Sequence, residues 1–198
     1  MSDNSQEIEV LAKKAKLQDM NSMEQLINIF YQDIYRLVLY RTYSKMDAED
    51  ITQEIFMQSV KKIKYLKDTK KFKAWLYRIA LNRVIDFHKK KKILSFCGMF
   101  LEINTQTNDD QIFSKPCNYP EKIVLKKEFW QQLNSFTKQL SKKEREIFLL
   151  RFVDLLEIKD ISQVLKKNEN TIKTHLYRAL KKFRKNSEFI NLLQGEEL

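Results

Sequence analysis

A chain of 198 residues with two glycines and two prolines, rich in Leu, Ile, Lys and Glu, reads as all-α, in one medium domain or two small ones. No apolar run approaches the roughly 18 residues of a membrane span, and the polar, acidic start is unlike a signal peptide, so a cytoplasmic address is expected. The net charge of +11 is uneven: residues 59–92 carry +11 and residues 166–185 carry +7, which suggests two contacts on one polyanion and on charge alone equally allows two solvated lysine-rich helices.

In chain order, Leu26, Ile27, Phe30, Ile34, Leu37 and Val38 have the spacing of a helix with one buried stripe. A second helix is predicted from "MDAED", with Asp47 as its N-cap and Ala48, Ile51, Ile55, Phe56, Val60 and Ile63 facing inward. That phase leaves Glu49, Asp50, Gln53 and Glu54 off the core, as an acidic surface. A third helix, "FKAWLYRIALNRVIDFHKKKK", is apolar on most sides before it runs into lysines, so it belongs at the centre of a bundle with a basic end emerging. Trp75, Leu76, Ile79 and Val84 are assigned to the core, and Asp86 to a salt bridge with Arg83.

Both prolines, both cysteines and Gly98 fall between residues 97 and 120, around the polar cluster "NTQTNDD". This stretch reads as a linker dividing the chain into residues 1–94, a connection of 95–118, and residues 119–198. Its apolar residues Phe96, Met99, Phe100, Leu101 and Ile103 point to a segment that docks on something. Cys97 and Cys117 are expected to stay reduced in a cytosolic chain, and His88 and His175, the only histidines, stand far from both. Neither a metal nor any other cofactor is predicted.

Beyond the linker, "SKKE" at Ser141–Glu144 has the form of a capping box in front of "IFLLRF". The stretch "KDISQVLKKNENTIKTHLYRAL" gives a short helix, a turn at Lys166–Asn168 and a second, basic helix. Ile161, Val164 and Leu165 fit the buried side of the first, and Ile172, Leu176, Ala179, Leu180 and Phe183 that of the second. Such a pair matches a DNA-binding helix-turn-helix. Thr171, Thr174, Arg178 and Lys181 lie opposite the apolar seam, with Lys173, His175 and Tyr177 beside them. Hydroxyls and cations reach phosphates, and an arginine grips guanine by two bonds. These residues alone leave open a stand-alone, dimeric helix-turn-helix regulator and a basic module for RNA or anionic membrane. No nucleophile–base pair and no phosphate-binding glycine loop points to an enzyme.

Taken in order, "DAEDITQEIF", "AWLYRIALNRVID", "YPEK", "LSKKEREIFLLRF" and "NTIKTHLYRAL" resemble the extracytoplasmic-function branch of bacterial RNA polymerase sigma factors, over about residues 20–185. The resemblance implies sigma domain two over residues 1–94 and sigma domain four over 119–198. It implies an alternative sigma factor, not an enzyme, that binds core RNA polymerase, recognises a two-part promoter and melts it. Glu49, Asp50, Gln53 and Glu54 would dock on the polymerase. Tyr65, Lys67, Phe72, Arg78, Asn82, Lys89 and Lys90 would hold the minus-ten element, and Thr171, Lys173, Thr174, His175, Tyr177, Arg178 and Lys181 the minus-thirty-five element. It further implies a monomer when free, held by an anti-sigma factor that is often membrane-bound. The chain departs from the family where Lys166 and Asn170 replace common glycines, where His175 replaces arginine, and where "FHKKKK" replaces an arginine-rich run.

Overall fold

The computed structural model describes residues 2–96 and 127–185, so the linker beyond Phe96, both cysteines and "YPEK" lie outside the described residues, while Ser95 and Phe96, read from the sequence as linker, belong to the helix Phe72–Phe96. The chain divides into two compact units. The first holds α1 (Ser2–Lys16), α2 (Met20–Thr42), α3 (Lys45–Lys62) and α4 (Phe72–Phe96), with short 3-10 turns at Ile63–Tyr65 and Thr69–Lys71 between α3 and α4. The second is built on α5 (Lys127–Lys138), α6 (Lys142–Phe152), most of α7 (Ile158–Leu165) and α8 (Glu169–Phe183).

In the first unit α2 buries Leu26, Phe30, Ile34, Leu37 and Val38, the stripe its spacing predicts, while Ile27 is only half-buried. Each such side chain contributes about 1.5–3 kcal/mol when fully withdrawn from water. α4 buries Leu76, Tyr77, Ile79, Ala80 and Val84 and packs on α1, α2 and α3, as a helix apolar on most sides must. Trp75 is half-buried at the edge of this core. α1 was not anticipated: it buries Leu11, Ala12 and Ala15 and packs on α2 and on both 3-10 turns.

The start of α3 corrects the sequence reading. Tyr43 closes α2 in the left-handed region, at φ 55°, and Ser44 follows in extended conformation. The N-cap is therefore Ser44, whose Oγ accepts from the Asp47 N–H at 3.3 Å. Asp47 lies one turn further in, where its carboxylate still faces the positive end of the helix dipole.

In the second unit the capping box forms as predicted: Ser141 N–H donates to Glu144 Oε2 at 2.9 Å, and Glu144 N–H donates to Ser141 Oγ at 3.4 Å. Arg145 then closes the open end of α5, donating to the carbonyls of Thr137 at 2.7 Å and Lys138 at 3.3 Å. Phe136 meets Phe148 and Phe183 edge-on, with ring centres 5.2 and 5.3 Å away, which ties α5, α6 and α8 into one core. Of the helix-turn-helix positions, Ile161, Val164, Ile172, Leu176 and Ala179 are buried, and Leu165, Leu180 and Phe183 half-buried. Lys166 makes the turn at φ 52°, ψ 46°, and Asn168 Oδ1 accepts from the Asn170 N–H to start α8. Asn170 itself sits inside the first turn of α8, so Lys166 alone meets the demand for a left-handed residue.

Candidate functional site

On α3 the cap at Ser44 sets the phase, and the helix turns Ala48, Ile51, Thr52, Ile55 and Phe56 inward. Glu49, Asp50, Gln53 and Glu54 are thereby all exposed on one surface. Glu54 reaches across to Arg83 of α4 and forms an ion pair with it. Arg83 therefore does not pair with Asp86, contrary to the sequence reading. Asp86 lies instead 3.6 Å from Lys89, one turn along the same helix. Between α3 and α4 opens a cleft of about 190 Å³, lined by Asp47, Asp50, Ile51 and Glu54 on one side and by Arg83, Asp86, Phe87 and Lys90 on the other.

The segment between α3 and α4 presents Tyr65, whose side chain is 72% exposed, with Lys64 Nζ 5.1 Å from its ring centre. Lys67 is exposed, and the neighbouring Leu66 and Ile63 are buried and anchor the segment. Asp68 accepts from the Lys70 N–H at 3.1 Å and pairs with Lys71 at 3.2 Å, which fixes the entry to α4. An exposed ring among cations is the arrangement that stacks a base and holds the phosphates next to it.

Phe72 does not belong to that surface. It is 1% exposed, with its ring 5.7 Å from those of Phe30 and Trp75, so it is core, and Tyr65 is the exposed aromatic of this segment. Along α4, Arg78 is half-buried and Asn82, Lys89 and Lys90 are exposed. His88, assigned no role from the sequence, has Nε2 2.9 Å from the Arg41 carbonyl and so donates to it, tying α4 to the last turn of α2.

On α8 the residues Thr171, Lys173, Thr174, Tyr177, Arg178 and Lys181 are exposed, and Tyr177 is 67% so. His175 is half-buried, and its Nδ1 is enclosed with no partner among the described residues. Thr174 donates its hydroxyl to the Asn170 carbonyl at 2.8 Å, which leaves that oxygen as an acceptor only. Lys182 turns away from this surface and pairs with Glu144 at 2.7 Å. The Lys182 ammonium, together with the Ser141 N–H, holds the Glu144 carboxyl down to about 2. This pair joins the start of α6 to the end of α8. From the sequence Glu144 reads as a cap only, because a contact 38 residues apart leaves no periodic signal.

Among the described residues there is no group of three or more His, Cys, Asp or Glu that could hold a metal, and no helix is long and apolar enough to cross a membrane.

Residues 26–93 match the family described as Sigma-70 region 2, and residues 131–183 match that described as Sigma-70, region 4. The chain is 29% identical to the RNA polymerase sigma factor SigV of Bacillus subtilis, over 77% of this chain and 83% of that protein. It is 28% identical to the ECF RNA polymerase sigma factor SigW of the same organism, over 87% of this chain and 92% of the relative. Its fold is similar to that of the sigma factor RpoE from Bartonella quintana, solved in complex with the anti-sigma factor NepR. The TM-score is 0.59 at 20% identity, covering 82% of this chain and 94% of that one. With regions 2 and 4 in order, and relatives of this kind matched over most of their length, the chain belongs to the sigma factors of bacterial RNA polymerase, in the extracytoplasmic-function branch.

Proposed function

We propose that this alternative sigma factor docks on core RNA polymerase through Glu49, Asp50, Gln53 and Glu54. The observation that carries the reading is the phase of α3, which buries Ile51 and Ile55 and leaves those four side chains in solvent as one acidic surface. Such a surface suits a basic partner. Tyr65, Lys67, Arg78, Asn82, Lys89 and Lys90 hold the minus-ten strand, with Tyr65 stacking on a base and the cations meeting phosphates. Thr171, Lys173, Thr174, His175, Tyr177, Arg178 and Lys181 present α8 to the major groove of the minus-thirty-five element. Strand opening draws on binding free energy, with no catalytic step in the chain itself.

The protein acts in the cytoplasm as a monomer, with residues 1–94 and 119–198 as its two working domains. It is controlled by an anti-sigma factor that masks the polymerase-binding surfaces, as the same fold is held by NepR in the RpoE complex. Co-elution of the purified protein with bacterial core RNA polymerase on a sizing column tests the reading. A stoichiometric complex that then selects promoter DNA is the expected result. A well-folded, uninhibited protein that forms no complex yet binds duplex DNA tightly is instead a stand-alone regulator.

A further inference from the structure

We propose that Arg83 is an exchangeable clasp between the two surfaces of the first unit. In the free protein it holds Glu54, and in the polymerase complex it moves to a phosphate of the promoter strand. This rests on the docking role of α3 given above.

Arg83 follows Asn82 on α4, the helix assigned to the strand, while Glu54 belongs to the docking face of α3; their ion pair joins the two helices directly. Of the four docking side chains, Glu54 is the one with a charged partner among the described residues. A basic polymerase surface therefore meets one carboxylate already neutralised. The pair sits at a rim, with Glu54 53% and Arg83 27% exposed, so water and salt weaken it and another cation can replace Arg83 at small cost.

A released Arg83 has somewhere to go. The cleft beside it holds Lys90, which repels it, and three further carboxylates: Asp86, which Lys89 already engages, Asp47, which faces the start of α3, and Asp50, which the docked polymerase claims along with Glu54. Lys90 lies seven residues on, two helical turns or about 10 Å along the same face, so a strand that reaches Lys90 runs past Arg83. The planar guanidinium fork matches phosphate oxygens and is less strongly hydrated than an ammonium. Docking thereby frees a cation for DNA, and DNA held by that cation keeps Glu54 free for docking. Linkage requires the two effects to be equal.

The test uses full-length Arg83→Met, Glu54→Gln and the double variant, titrated with core polymerase. Arg83→Met is expected to bind core about threefold more tightly, the scale of an exposed ion pair. Glu54→Gln is expected to bind more weakly, and the double variant to match Glu54→Gln alone. In the holoenzyme, Arg83→Met is expected to reduce the slope of log K for promoter binding against log salt by about one, with Arg83→Lys restoring it. Weaker core binding by Arg83→Met, at unchanged helicity and unfolding midpoint, makes Arg83 a prop for the docking face and overturns the proposal. An unchanged salt slope also overturns it. Glu54→Gln binding core like the wild type removes the docking role of Glu54 itself, a failure distinct from that of the clasp. Should Arg83→Met not fold, Arg83→Gln takes its place in the same titrations.

Discussion

At the scale of single residues, two positions carry energetic weight outside the binding surfaces. Lys166 takes the left-handed conformation that a residue with a β-carbon adopts at a cost of about 1–2 kcal/mol. Lys166→Gly is therefore expected to raise the stability of the second unit by about 1 kcal/mol, read from its urea midpoint at unchanged slope. Glu144 works through charge. Its carboxyl is held at about 2, below the usual value of 4.5, so the ionised form is favoured in the folded state. That contribution is complete above about pH 4.5 and is lost as pH falls toward 2. Glu144→Gln keeps part of the cap and loses the charge. Its unfolding free energy is expected to vary less between pH 4.5 and 2 than that of the wild type, as measured by denaturant melts across that range.

At the scale of helices, phase decides function. α3 is set by Ser44, and one register fixes both the buried Ile51 and Ile55 and the exposed acidic surface. Asp50→Lys reverses one exposed charge without touching that core, so it is expected to abolish the polymerase complex on a sizing column while leaving helicity unchanged. Much of this was readable in advance, because α3 and α8 are amphipathic and their stripes have one solution. The capping box at Ser141 was equally legible, being a local contact between two residues three apart in sequence. α4 gave less away. A helix apolar on most sides does not announce which aromatic lies innermost, so Phe72 looked available for a base although it packs on Phe30 and Trp75. α1 escaped for a different reason: among its described side chains it buries just Leu11, Ala12 and Ala15, two of them too small to mark a stripe. The pairs Glu54–Arg83 and Glu144–Lys182 depend on how helices far apart in sequence come together, and no pattern within one helix encodes that.

At the scale of the molecule, two compact units carry two basic blocks, and the docking face and α8 belong to different units. Arg178→Ala is therefore expected to leave core polymerase affinity unchanged. It should cost about 1–3 kcal/mol at particular promoter positions, measured by holoenzyme binding to a set of single-base promoter variants. A uniform loss across the set would make Arg178 a phosphate contact. The outward face of α8 holds this single arginine among lysines, threonines, a tyrosine and a half-enclosed histidine. Point charges and hydroxyls accept many base sequences where a guanidinium fork insists on one. With Arg178 on a guanine as proposed, promoters selected by this factor are expected to keep that one base pair of the minus-thirty-five element more strictly than its neighbours, so sequence drift there is tolerated while the minus-ten element is still met.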